Sequence, residues 1–129
     1  MTRYLLDTNI VLFVMLDDAR LSSTARGAVA SGPNIISVAS YWEVLVKSKK
    51  GNLEVGDPRI WWSQALRELN AIPLSIRAEH IEGLYNLRPI HKDPFDRVLV
   101  AQAISESLTL VTADSAIPQY SSDGLHVLV

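Results

Sequence analysis

Cysteine is absent from the 129 residues of the chain. Its absence excludes disulfide bridges, thiolate nucleophiles and cysteine-based zinc sites, and it is compatible with a reducing cytosol. Only three histidines occur, at positions 80, 91 and 126, and their spacing is not that of a metal-binding motif. Any metal site is therefore expected to rely mainly on oxygen ligands.

The sequence also lacks a long apolar segment and a strong net charge. The apolar run from Ile10 to Leu16 is far too short to cross a bilayer, so we expect a soluble, cytoplasmic protein without a membrane partner. A net charge of −2 argues against electrostatic binding of nucleic acid over the whole surface. It leaves room for a local basic groove or a metal-mediated contact.

Hydrophobic residues make up 48% of the chain, which at this length predicts one domain, residues 1–129, with a substantial core. Short strand-like runs alternate with helical patterns, which favours a parallel sheet with helices on both faces. The prediction is an α/β fold, a three-layer α/β/α sandwich whose sheet has about five strands. The strand-like runs cover residues 3–6, 34–37, 71–74, 108–111 and 125–129.

Four acidic residues are predicted to meet at one edge of this sheet. Asp7 and Asp114 each follow a strand, at the carboxyl edge where ligands bind in parallel sheets. Asp96 falls in the first turn of a helix that Asp93 and the following proline begin, and Glu43 lies early in the helix after the second strand. So many carboxylates repel one another, and a divalent cation such as Mg²⁺ or Mn²⁺ would relieve the repulsion.

Each acid also has a purely structural interpretation. Asp96 could complete a capping box with Asp93, while Asp7 and Asp114 could be turn residues at strand ends. Glu43 could be solvated and paired with Lys47 one helical turn later. Asp93 itself is favoured as a helix cap, with a supporting role at a metal site as the alternative.

Basic and aromatic residues suggest where partners could bind. Several basic side chains are candidate phosphate contacts near the acidic edge, with a solvated charged face as the more common alternative: Lys47, Lys49, Lys50, Arg88, His91, Lys92 and Arg97. The run from Ile10 to Leu16 is wider than one buried helix face requires, which favours a dimer or partner contact. Trp62 is predicted to be part of the core and its neighbour Trp61 part of a partner surface.

The acidic segments together resemble the ordered motifs of PIN-domain nucleases and, among them, of VapC toxins from toxin–antitoxin systems. The resemblance covers nearly the whole chain. Each motif alone is unspecific, but the order and spacing of all four within a chain of this size are distinctive. The motifs are Asp7-Thr8-Asn9, Ser40-Tyr41-Trp42-Glu43, Asp93-Pro94-Phe95-Asp96-Arg97 and Thr112-Ala113-Asp114.

The resemblance implies a Mg²⁺- or Mn²⁺-dependent endoribonuclease that hydrolyses RNA with metal-activated water. It also implies a homodimer and neutralisation by a small VapB-type antitoxin, within a hetero-oligomer of the two proteins. The acidic quartet would be catalytic and metal-binding, with Asp7 and Asp96 as the direct ligands. Asn9 and Thr112 occupy positions that support the acids by hydrogen bonds.

Two other functions compete with this interpretation. An aspartyl-phosphate phosphatase of the haloacid dehalogenase type would also place an acid at Asp7, but it would need a second acid where Asn9 stands. A catalytically silent PIN-fold binding module would keep the fold without the chemistry, and the intact carboxylates argue against it.

Overall fold

The protein is described by a computed structural model that covers residues 2–129. Within these residues five strands form one sheet in the order β3-β2-β1-β4-β5, and every neighbouring pair is parallel. The strands are β1 Tyr4–Leu6, β2 Asn34–Ser37, β3 Ala71–Leu74, β4 Thr109–Val111 and β5 His126–Leu128. The helices are α1 Thr8–Met15, α2 Ser23–Ser31, α3 Val38–Lys49, α4 Pro58–Glu68, α5 Ala78–Asn86 and α6 Pro94–Glu106, with a 3-10 helix at Ile117–Asp123.

The core lies in two layers, one on each face of the sheet. Successive strand residues point to opposite faces, so Leu5 joins one hydrophobic cluster and Leu6 the other. The Leu5 cluster takes in residues of α6 and the 3-10 helix, whereas the Leu6 cluster takes in residues of α1, α2 and α4. This arrangement confirms the α/β/α sandwich and the five-stranded parallel sheet.

Local sequence signals explain where several helices begin. The side chains of Ser22, Asp57 and Asp93 accept backbone hydrogen bonds at the N-termini of α2, α4 and α6, and proline follows the two aspartates. The sequence pattern predicts that Pro118 ends a short irregular or helical segment, and this is wrong, because Pro118 lies at the start of the 3-10 helix. A proline at the first helical positions loses no hydrogen bond, so it suits a start better than an end.

The order of the strands places the carboxyl ends of β1 and β4 side by side. The chain runs outward from β1 through β2 to β3, then crosses back to β4 on the other side of β1, so the direction of winding changes between β1 and β4. Leu6 pairs with Val111, which brings the residues that follow both strands together. A crevice at such a point is where parallel sheets bind ligands.

Two further expectations concern surfaces. Trp61 is buried, with 5% of its surface exposed, so its expected place on a partner surface is wrong, whereas Trp62 is partly buried and packs against the core. Neighbouring helical residues are turned by about 100° from each other, and both of these side chains nevertheless reach the core side of α4. None of the helices in residues 2–129 has the length and apolar character that a membrane crossing requires.

Candidate metal centre

Asp7 and Thr112 join the ends of the two central strands. Both residues are buried, and the Thr112 hydroxyl donates a 2.7 Å hydrogen bond to Oδ2 of Asp7. The same hydroxyl oxygen accepts the backbone N–H of Asp114 at 3.0 Å. Thr112 thus makes the hydrogen bond expected of it and holds two of the four acids in place.

Glu43 points from α3 into the protein, with 3% of its surface exposed. Lys47 donates to Oε2 of Glu43 at 2.6 Å, so the helical pair considered from the sequence is present, but the glutamate is not solvated. The other oxygen, Oε1, is buried without a hydrogen-bond partner among the described residues. A buried acceptor of this kind is costly unless something else pairs with it.

The charges of the acids act on one another. Burial raises the pKa of Asp96 to about 7, and the negative charges of Asp7, Asp93 and Glu43 add to this effect. Burial also raises the pKa of Asp7 to about 6, against the hydrogen bond from Thr112, which lowers it. Mutual repulsion of this sort requires that the carboxylates lie close together.

Asp114 is the most open of the four acids, with 32% of its side chain exposed. Partial burial raises the pKa of this carboxyl group, but hydrogen bonds from the Ala116 N–H and from His91 outweigh burial and lower it. Nε2 of His91 lies 2.6 Å from Oδ2 of Asp114 and 3.3 Å from Oδ2 of Asp96. His91, a candidate phosphate contact that the sequence places in a surface loop, thus bridges two of the acids.

Asn9 does not lie with the acids. It is exposed on α1 and lines a groove with Leu12 and Phe13, so the expected support of the acids by Asn9 finds no contact in the described structure. Its neighbour Thr8 is buried instead and hydrogen-bonds to Ser40 at 2.8 Å, which links α1 to α3 beneath the acids. Helix α1 begins at Thr8, and this start turns Thr8 inward and Asn9 outward.

Asp93 caps α6 as favoured, since its side chain accepts the Phe95 N–H at 2.9 Å. Two of the basic candidates are committed to contacts near the same loop. Arg88 binds Asp123, and Arg97 donates to the backbone carbonyl of His91. Of the other basic candidates, Lys49, Lys50 and Lys92 are exposed.

The cluster as a whole fits a hard divalent cation. Ligand atoms of Asp96, Asp114 and His91 lie within 4.8 Å of one another, the charges of Asp7 and Glu43 act on Asp96, and a buried oxygen of Glu43 has no partner among the described residues. Carboxylate oxygens are the ligands that Mg²⁺, Mn²⁺ and Ca²⁺ prefer. A cation would satisfy the unpaired oxygen and offset the repulsion that raises the pKa of Asp7 and Asp96.

The fold and the acids define an α/β domain with a candidate metal centre at the switch point of its sheet. The sequence matches the PIN domain family over residues 4–122, and the chain therefore belongs to that family, whose members are generally nucleases that use divalent metals. No curated protein matches the sequence.

Solved structures with the same fold come from toxin–antitoxin complexes. A chain from VapBC of Salmonella typhimurium bound to DNA superposes with a TM-score of 0.71 at 16% identity, covering 99% of this chain and 98% of that one. For VapBC2 of Rickettsia felis bound to a promoter fragment, the TM-score is 0.68 at 16% identity, with 98% of each chain covered. A Klebsiella pneumoniae toxin–antitoxin complex gives 0.65 at 23% identity, over 98% and 96%.

Proposed function

We propose that the protein is a Mg²⁺- or Mn²⁺-dependent endoribonuclease that acts as the VapC-like toxin of a toxin–antitoxin pair. The observation that carries the proposal is the acidic edge itself: ligand atoms of Asp96, Asp114 and His91 lie within 4.8 Å of one another, and the charges of Asp7 and Glu43 act on Asp96. Membership of the PIN family and the likeness to chains of toxin–antitoxin complexes support it.

Asp7 and Asp96 would hold the metal directly, with Glu43 and Asp114 completing the cluster or orienting the attacking water. A bound divalent ion supplies an activated water and stabilises the charge that develops on a phosphoryl oxygen. Thr112 keeps Asp7 and Asp114 in register by its two hydrogen bonds. Lys47 neutralises one oxygen of Glu43 and leaves the other available.

The decisive experiment incubates the purified protein with a pool of cellular RNA, with Mn²⁺ or with EDTA, and maps the new ends by sequencing. We expect cleavage that EDTA abolishes and that the Asp7→Asn, Asp96→Asn double variant lacks. Undiminished cleavage by a folded double variant would refute the assignment. Absence of any RNA cleavage by the wild-type protein would favour the silent binding module.

The antitoxin would occupy the groove beside α1. This groove has a volume of about 460 Å³ and is lined by Leu12, Phe13, Leu16 and the buried Trp61, and Leu16 is 75% exposed. Co-expression with an adjacent small gene should give a complex in which RNA cleavage is suppressed, and Leu16→Glu should weaken it. Ile72→Glu, at an exposed site on β3, is the matched control and should leave the complex intact.

A homodimer would bury the apolar side chains that α5 exposes. Ile81 is 51% exposed and Tyr85 is 93% exposed, so both can be changed without touching the core. We expect light scattering to give the mass of a dimer for the wild-type protein and of a monomer for the Ile81→Glu, Tyr85→Glu variant. Dimers of unchanged stability in that variant would place the interface elsewhere.

A further inference from the structure

Two aromatic side chains accompany two acids of the candidate metal centre. Trp42 directly precedes Glu43 on α3. Phe95 directly precedes Asp96 at the start of α6. Consecutive Cα atoms are about 3.8 Å apart, so each aromatic residue lies as near to its acid as the backbone allows. The two rings meet edge to face, with centroids 5.0 Å apart and planes at 88°, which places an aromatic pair beside the acidic edge.

Helix α3 turns Trp42 and Glu43 in different directions. Neighbouring helical residues differ by about 100° around the axis, so the inward position of buried Glu43 leaves Trp42 on the outside. Trp42 is 56% exposed, whereas Trp61 is buried and Trp62 is partly buried. An exposed tryptophan offers a large, flat apolar face, and such faces mark interaction sites.

A cavity of about 300 Å³ opens beside the aromatic pair. It is lined by Trp42, Leu84, Pro94, Phe95, Arg97 and Val98. Ligand pockets in proteins begin at about 300 Å³, so the space suits one small ring system. Nη1 of Arg97 is already bound to the carbonyls of Arg88 and His91, at 3.2 Å and 3.3 Å, and the other lining side chains are apolar. The cavity therefore favours a flat, uncharged group.

Arg97 joins this cavity to the acids. It lines the cavity and also donates to the carbonyl of His91. Nε2 of His91 in turn lies 2.6 Å from Oδ2 of Asp114 and 3.3 Å from Oδ2 of Asp96. Exposed Lys92 follows in the same loop and offers a cation for a phosphate. A phosphate chain that reaches the acids thus has the aromatic cavity at its side.

An unpaired base of RNA is the occupant that these features favour. Bases that leave the stack of a single strand bind to aromatic side chains and to guanidinium planes, while their phosphates require positive charge. A helix of a protein partner would instead need apolar anchors over several turns. The cavity accepts a single ring and is bordered by charged residues, which fits a nucleotide better than a helix.

We propose that Trp42 and Phe95 form a base-stacking subsite that binds one unpaired base next to the phosphodiester that is cleaved. This subsite, which rests on the proposed ribonuclease function, restricts the substrate to RNA that is single-stranded at the cleavage site. Every base has a π-face, so the subsite requires a base that is free to stack and accepts all four.

The first test compares cleavage by variants of Trp42. A short single-stranded RNA with a cleavage site mapped from cellular RNA serves as substrate, in the presence of Mn²⁺. Trp42→Leu keeps an apolar side chain but removes the π-face, and it should lower kcat/KM about 5-fold to 150-fold. Trp42→Phe retains an aromatic face and should recover most of the rate. Ile60→Ala, at a site on α4 that is 57% exposed, is the matched control and should cleave like the wild type.

Abasic nucleotides identify the base that stacks. Bases of the substrate are removed one at a time, and one position beside the cleaved bond should slow the wild type as much as Trp42→Leu slows cleavage of the intact RNA. On that abasic substrate Trp42→Leu should cause no further loss, because both changes remove the same contact. A folded Trp42→Leu variant that cleaves like the wild type would overturn the subsite, as would losses that add at every position. A wild-type protein that is insensitive to removal of any adjacent base would do so without any variant.

A binding measurement separates the subsite from the nuclease function. An oligouridine with one central 2-aminopurine is titrated with Asp7→Asn, which should not cleave and has one negative charge less to repel phosphate. We expect stacking to quench the 2-aminopurine fluorescence, and Trp42→Leu in the same background should remove the quenching. This result would support the subsite even if the wild-type protein cut no RNA, in which case the nuclease assignment alone would fail. Quenching that Trp42→Leu leaves unchanged would overturn the subsite, and a simultaneous fall of mass in light scattering would assign Trp42 to a contact between protein chains.

Discussion

Two histidines of this protein each contact a carboxylate, and the two clusters behave differently. Between α5 and α6, fully buried His80 contacts Glu106 at 2.9 Å, and the same carboxylate pairs with Arg77. At the sheet edge, His91 contacts Asp114 and Asp96 within a group of four acids. A histidine next to an acid is thus common to a structural network and to a candidate site.

The balance of charge separates the two clusters. The guanidinium of Arg77 faces Glu106 and also lowers the pKa of Glu79 through a 2.7 Å hydrogen bond, so cation and carboxylates compensate each other. At the sheet edge the pKa of Asp7 and Asp96 is raised, to about 6 and about 7, because the carboxylates are buried and outnumber the cations. Unbalanced charge, and not the histidine contact itself, marks the place for a metal.

The largest expected difference between the clusters is in catalysis. Asp7→Asn and Asp96→Asn should each lower Mn²⁺-dependent RNA cleavage by at least about a hundredfold, since a metal contributes several kcal/mol and about 1.4 kcal/mol is a factor of ten. Glu106→Gln makes the same change in the balanced cluster and should leave cleavage per folded molecule unchanged. Single-turnover cleavage rates give the comparison, and equal losses in all three variants would contradict it.

The balanced cluster of His80, Arg77 and Glu106 should contribute more to the free energy of unfolding than the acids at the sheet edge. His80→Ala removes a fully buried ring, leaves the N–H of Arg77 without its 3.0 Å acceptor and should cost about 2–4 kcal/mol. His91→Ala, in a partly exposed loop position, should cost less than about 1 kcal/mol. Urea unfolding followed by circular dichroism measures both, and a greater loss for His91→Ala would reverse the assignment of roles.

Added Mn²⁺ should stabilise the folded protein only by binding at the acids of the sheet edge, which include Asp7 and Asp96. At a Mn²⁺ concentration a hundred times the dissociation constant, the folded state gains about 2.7 kcal/mol, which for a chain of this size raises Tm by roughly 10 °C. We expect this shift in the wild-type protein and in Glu106→Gln, and its loss in Asp7→Asn. Thermal scans at several Mn²⁺ concentrations provide the measurement, with a shift that persists in Asp7→Asn as the contrary result.

The unbalanced cluster should also make stability depend on pH when no metal is bound. Folding raises the pKa of Asp7 to about 6 and that of Asp96 to about 7, from the ordinary value of 3.8 that applies in the unfolded chain. The folded protein therefore binds protons more strongly than the unfolded one. The free energy of unfolding should therefore fall as pH rises from about 4 to about 7. Urea titrations in EDTA test this, and Asp96→Asn should flatten the decrease.

Much of the site follows from sequence because strand ends are easy to recognise. Asp7 and Asp114 follow short apolar runs, and a parallel sheet brings the carboxyl ends of its strands to one edge. The cap at Asp93 then fixes Asp96 in the first turn of α6. These predictions require only the spacing of the apolar residues in each strand or helix and the residue at which that element begins.

The features that the sequence did not predict depend on the rotation of each helix about its axis and on the conformation of loops. A helix start at Thr8 turns Thr8 toward Ser40 and Asn9 outward, and a similar uncertainty about helix rotation left Trp61 on the predicted surface when it is buried. His91 lies in a loop without periodicity, so its position over the acids depends on contacts with Tyr120 that are distant in sequence. The 2.8 Å bond between His91 and Tyr120 joins residues 29 positions apart.

The hydrogen bond between Thr112 and Asp7 spans 105 positions of the chain. During synthesis the first strand leaves the ribosome long before β4 can pair with it, so the acids cannot assemble until nearly the whole polypeptide has emerged. A chain that is truncated before β4 would therefore lack Thr112 and Asp114, and with them any activity that depends on the assembled acids.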